Sequence, residues 1–202
     1  MQVQVAKRNS LLWKSAVTFV KHRYMKSYEA IIEPSPEYFL IVLNNADSIQ
    51  SCAGLTFAKS SPLLSECYLD ASCQETLSTI TNTHIERDCI AEVGSVASIN
   101  PIAGQTLFNM LSVVTWCMGA RYLLCTSTPR SIEVMGNCNV RFNKICNADP
   151  QRMTPKAEIE WGSYYDQTPI TGYIKLGEMA HHYHETILKT VFQPQVQSGQ
   201  AA

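Results

Sequence analysis

The chain is short of charge, and the charge it has nearly cancels. Only 16% of its 202 residues are Asp, Glu, Lys or Arg, 16 basic against 17 acidic, for a net charge of −1. Such a balance raises no long-range field, so neither nucleic acid nor an anionic membrane is expected as a partner. The one local basic cluster, Lys21, His22, Arg23 and Lys26, falls on an amphipathic helical pattern and reads as a solvated face. No run of 18 apolar residues occurs, which argues against a helix spanning a bilayer. "YFLIVL" is six residues long, the length of a core strand. The eight cysteines, at 52, 67, 73, 89, 117, 125, 138 and 146, include no C-x-x-C pair. With no secretory signal ahead of them, free thiols and a cytoplasmic protein are expected. Cys125 ends an apolar segment and is expected in the core rather than as a nucleophile.

Hydrophobic residues make up 46% of the chain, enough for one well-filled core. A single domain over residues 1–192 is expected, then a tail, "QPQVQSGQAA", that lacks an apolar anchor and should be disordered. Residues 11–27 place Leu12, Trp13, Ala16, Val17, Val20 and Tyr24 at helical spacing behind a Ser10 cap. Strands are expected at 38–43, 52–58 and 89–99, then at "RYLLCT" and "ITGYIKL". A helix at 105–118 is apolar nearly all round. A short one follows Thr128 as cap with Pro129 at its first position, and a last one covers 178–192. Residues 140–166 read as irregular. Alternating strands and helices argue for an α/β (α+β) fold, one sheet with helices on both faces.

The segment "IAEVGSVASINPIAGQTLF" runs a buried strand straight into a helix, where the amides of Ala103, Gly104 and Gln105 would converge on a phosphate. Glu92 is the only carboxylate in that strand. It reads either as a group of raised pKa in an open cleft, fit to act as a base, or as a structural Glu hydrogen-bonded across the sheet. Gly94 suggests a bulge, or else tight packing against a helix. "WGSYYD" concentrates aromatics in a loop, as a lid over a pocket or a satellite core. In "HHYHE", His181, His184 and Glu185 fall on adjacent turns, but without a second ligand cluster no metal is expected.

Four segments, "LLSECYLD", "CIAEVGSVAS", "CTSTPRSIEVMGN" and "EWGSYYDQTP", together resemble the bacterial thermostable hemolysin family. "WGSYYD" is the most specific of these pieces. That family is similar in turn to acyl-homoserine lactone synthases, which have the GNAT acyltransferase fold. The resemblance implies an acyltransferase that moves an acyl group from an acyl carrier protein or CoA thioester to a small amine, making a signal molecule or lipid-like product. The thioester would be a co-substrate, with no tightly bound cofactor. Glu92 would lie in the reaction cleft, and pantetheine along Gly94, Ser95, Val96 and Ala97. Its phosphate end would reach Ala103, Gly104 and Gln105. Arg23, Glu66 and Tyr68 would meet the acceptor, and Tyr164 or Tyr165 would protonate the leaving thiolate. The loop "NPIAGQ" departs from the GNAT Gln/Arg-x-x-Gly-x-Gly/Ala pattern, keeping the single glycine Gly104. The family's name implies an alternative, a non-enzymatic hemolysin or interaction protein acting at membranes. It finds no spanning helix, barrel-length alternation or strongly basic amphipathic helix to support it.

Overall fold

Among the described residues seven strands form one mixed sheet: β1 (Gln2–Lys7), β2 (Tyr38–Leu43), β3 (Ile49–Phe57), β4 (Ile90–Ser98), β5 (Tyr122–Ser127), β6 (Asn143–Asn147) and β7 (Ile170–Lys175). Their order is β1-β2-β3-β4-β5-β7-β6, and every pairing is antiparallel except β4 with β5. Helices α1 (Leu11–Tyr28), α2 (Cys73–Thr81), α3 (Pro101–Cys117) and α4 (Pro129–Asn137) cover it. This computed structural model describes residues 1–153 and 159–179. The expected helix beyond Met179, the His181, His184 and Glu185 set and the tail lie outside the described residues.

The period of two in each strand divides the core between the two faces. Leu40 and Val42 of β2 pack with Leu107 and Leu111 of α3 and Met135 of α4. Their neighbours Phe39 and Ile41 turn the other way, onto Ala16 and Val20 of α1. On that second face Ile90 and Leu124 meet Cys73 and Leu77 of α2. Burial on both sides is why "YFLIVL" is apolar throughout instead of alternating.

Helix α1 starts where expected, with the Ser10 hydroxyl accepting from the Trp13 amide at 3.3 Å. Helix α3 starts one turn earlier than expected. Asn100 caps it, accepting from the Ala103 amide at 2.9 Å, and Pro101 occupies the first position, where a missing N–H has no effect. Two strands, β1 and β6, occupy segments where none was expected; both lie at the edges of the sheet.

A bulge sits in β4. Cys52 of β3 faces Ala97 whereas Gly54 faces Gly94, so β4 carries an extra residue, and Ser95 adopts a φ of +52°. Above it the side-chain phase is reversed. Ala91 and Val93 face α3, whereas Ala97 faces α1. Parallel pairing of β4 with β5 runs from Ile90 and Tyr122 to Val93 and Cys125, and there it stops.

All eight cysteines are free. Burial lifts the Cys125 thiol to about 12, while Cys117 is exposed. A short alkylation pulse on native protein at neutral pH should therefore modify Cys117 first, and all eight should react only after denaturation without reductant. Mass measurement counts them, and a missing pair would reveal a bridge.

Candidate active site

Beyond Val93 and Cys125 the two central strands part, and a cavity of about 270 Å³ lies where they diverge. Residues 96–101 of β4 and the junction form one wall, and Gly104, Leu107 and Phe108 of α3 continue it. Thr128, which caps α4, and Arg130, Ser131 and Val134 within it come from one side, and Arg23, Tyr24, Ser27 and Tyr28 from α1. Among the described residues, no Asp or Glu lines the cavity. Helices α1 and α3 pack on opposite faces of the sheet, so the opening passes between the faces.

Of the donor-side residues expected from sequence, Val96, Ala97 and Gly104 line this cavity. Gly94 sits just below, where an added Cβ would meet nothing within 4 Å; close packing is not what calls for this glycine. The left-handed residue is its neighbour Ser95. The earlier helix start changes which amides stand at the helix end. Pro101 has no N–H, and the amides of Ala103 and Gly104 both bond to Asn100, at 2.9 and 3.2 Å. Ala103 is buried, its carbonyl accepting from Ser51, and Gln105 is exposed in the following turn.

Glu92 pairs with Leu124, one step before the strands part, and does not line the cavity. Its carboxylate is buried against the 3₁₀ turn Leu64–Tyr68, not hydrogen-bonded across the sheet. Oε2 accepts from the Leu64 amide at 2.8 Å. Oε1 accepts from the Ser65 amide at 2.7 Å and the Ser65 hydroxyl at 2.5 Å. Burial raises its pKa, and these three donors only partly offset the rise. The Ser65 hydroxyl also meets that of Thr126 at 2.9 Å, which meets Thr171 at 2.8 Å. Thr126 lies one residue past the last β4–β5 pair, so the chain of hydroxyls leads from Glu92 past the point where the strands part, though none of its members lines the cavity.

Glu66 is fully engaged. Both its oxygens hold Arg87, at 2.7 and 2.8 Å, and they accept from the amides of Cys73 and Leu63 at 2.9 Å each. No lone pair is left over for an acceptor amine, so the expected recognition role gives way to a structural one. Burial alone would raise this carboxyl, but Arg87 and the two amides hold it down at about 2. A depressed folded pKa contributes stability that is complete above the unfolded value, about 4.3, and is lost as pH falls towards the folded one. The melting midpoint should drop across that window, and Glu66→Gln should remove this part of the acid limb in a pH series of thermal melts.

Tyr68, expected at the acceptor, is buried with its hydroxyl on that of Tyr165. The "WGSYYD" segment forms the satellite core. Tyr164 lies between Trp161, Tyr24 and Tyr28, with ring centroids at 5.2, 6.3 and 5.3 Å, and its hydroxyl donates to the Thr126 carbonyl at 3.3 Å. The same segment thereby buttresses the α1 wall of the cavity, which Tyr24 and Tyr28 line.

A family model described as thermostable hemolysin matches residues 6–180. The chain belongs to that family. No curated protein matches it by sequence. Among solved structures it is similar to FeeM, an N-acyl amino acid synthase from uncultured soil microbes. The two are 13% identical with a TM-score of 0.58, over 90% of this chain and 99% of that one. The acyl-homoserine lactone synthase LasI is 13% identical, with a TM-score of 0.58 over 96% of this chain and 98% of its own. BjaI, a CoA-dependent acyl-homoserine lactone synthase solved with SAM and isopentyl-CoA, is 8% identical, with a TM-score of 0.60 over 96% and 94%. At these identities the likeness establishes the fold, a single mixed α/β domain of the GNAT and acyl-homoserine lactone synthase type.

In this hemolysin-family chain, sequence reasoning missed Arg130, Ser65, Thr126 and Asn100. A helix-start signal, Asn before Pro, was available for Asn100. Nothing local marks Ser65 as the partner of a carboxylate 27 residues away.

Proposed function

We propose that this protein is an acyltransferase that moves an acyl group from a CoA or acyl carrier protein thioester to a small amine. The observation that carries this reading is the parting of β4 from β5 beside a bulge. It releases the β4 edge from its parallel partner over residues 94–98, next to a cavity of about 270 Å³. Pantetheine carries two amides, so an unpaired strand edge can bond it as it would another strand.

The amine nitrogen attacks the thioester carbonyl, the C–S bond breaks, and one proton passes from nitrogen to the departing sulfur. Glu92 is the candidate base, reached through the hydroxyls of Ser65 and Thr126; the pKa that burial raises makes its carboxylate a stronger proton acceptor than an exposed one. Tyr165, whose phenol burial keeps protonated, is the candidate donor to the thiolate. Tyr164 contributes by holding the α1 wall. The eight free thiols fit a reducing cytoplasm.

The test combines purified protein, acyl-CoAs of graded chain length and a pool of small amines, with mass spectrometry for free CoA and new amides. Amide formation above the protein-free rate supports the reading. Its absence with every pairing, on CoA and on carrier protein alike, overturns it. Dye release from lipid vesicles without any thioester would instead support direct action on membranes.

A further inference from the structure

We propose that Arg23 and Arg130 clamp the phosphate of the acyl donor from two walls of the cavity, in place of the helix amides at the β4–α3 junction. The inference rests on the acyltransferase reading and deepens it.

Three observations converge. The Nε of Arg23 is buried without a hydrogen-bond partner among the described residues, a condition rare in folded proteins unless a ligand or water completes it. Arg130 enters the same cavity from the first turn of α4, and neither arginine forms an ion pair among the described residues. Among the described residues the lining contains no carboxylate, so two cationic forks face one concave space in a chain whose net charge is −1. Such a recess concentrates positive potential that the whole molecule lacks.

A guanidinium matches phosphate oxygens two at a time in a plane. A carboxylate is filled by one such fork, whereas the pyrophosphate of CoA and the monoester of 4′-phosphopantetheine have non-bridging oxygens for two, which favours these over a carboxylate. Ser27 and Ser131 supply hydroxyls nearby. Of the amides at that helix start, Pro101 has none and those of Ala103 and Gly104 are bonded to Asn100, which leaves the cradle expected there short of donors. Leu107 and Phe108 leave an apolar side for the gem-dimethyl portion of the arm.

Calorimetric titration of the whole protein with 4′-phosphopantetheine and with pantetheine isolates the phosphate. The phosphorylated form should bind about tenfold tighter or better, the size of one or two charge-assisted hydrogen bonds. Arg23→Gln and Arg130→Gln should each remove most of that advantage and leave pantetheine binding unchanged. Arg130 is exposed, so its variant keeps the test valid if Arg23→Gln disturbs α1. Equal binding of the two probes by the parent protein, or an advantage that survives both substitutions, overturns the clamp. So does loss of free amino acid binding in the variants with phosphopantetheine binding intact, which would give the site to a carboxylate acceptor. Acyl transfer that proceeds with no arginine dependence refutes the clamp alone, whereas absence of any transfer refutes the acyltransferase reading beneath it.

Discussion

Glu92→Gln should cut the acyl-transfer rate by about a hundred- to ten-thousand-fold, the usual contribution of a positioned base. It should also lower the melting midpoint by several degrees. The second effect follows from the donors around the carboxylate. Three of them converge on it, from the amides of Leu64 and Ser65 and the Ser65 hydroxyl. A glutamine can offer its single oxygen to the Ser65 pair, but then its NH₂ faces the Leu64 amide. Leaving a buried donor unpaired costs about 1–3 kcal/mol, and in a chain of this size each kcal/mol moves the midpoint by about 2–4 °C. Ser65→Ala separates the two roles. It cuts the hydroxyl path to Thr126 yet keeps both amide bonds to Glu92, so it should slow transfer with a small change in melting and a shifted pH–rate profile. A Glu92→Gln protein that melts early but turns over at the parental rate, assayed well below its midpoint, would retire Glu92 as the base.

The second large effect is expected at Gly162. Its φ is +48°, and a Cβ there would lie 2.0 Å from the Tyr28 carbonyl oxygen. Gly162→Ala therefore meets left-handed backbone strain and a collision with main chain, which cannot rotate away as a side chain could. Each of these costs about 1–3 kcal/mol, so the midpoint should fall by roughly 5–15 °C. The loss should extend to ligand binding, because the displaced segment carries Tyr164, which braces Tyr24 and Tyr28 at the cavity wall. Ser163→Ala is the control: it gives up one 3.2 Å bond to the same carbonyl and should cost only about 1 kcal/mol. Thermal melts of the two variants side by side, with donor titrations on each, make the comparison; equal midpoints would mean that the segment yields easily.

Signals that act within a turn or two of chain carried most of the architecture. Ser10 and the pair Thr128 and Pro129 mark helix starts by local chemistry, and both helices begin there. Asn100 and Pro101 carry the same signal, but the flanking Gly104 and Gln105 drew the expected start inward. Strand β6, "NKICN", has no apolar period to read because an edge strand buries little. The bulge was legible from Gly94, while the strained φ fell on Ser95, which nothing in a serine announces. Site residues divide the same way. The resemblance put Val96 and Ala97 beside the donor and Arg23 at the acceptor, and all three line one cavity, whereas the fate of Glu66 depended on Arg87, 21 residues away. Charge partners chosen by folding have no period, so a carboxylate committed to one cannot be told from a free one in the sequence.

Only four residue pairs join β4 to β5, and they are the sheet's one parallel contact. On one side β1 to β4 are successive antiparallel neighbours; on the other β7 lies between β5 and β6. The sheet is thus two locally wound halves stitched by a short seam, and such halves can open as separate cooperative units. A donor seated in the cavity would touch α1, α3 and α4 together and so bridge that seam from its open end. Occupancy would then add to the four pairs of that seam and to the core shared across it, binding the two halves more tightly and stabilising the loaded protein over the empty one.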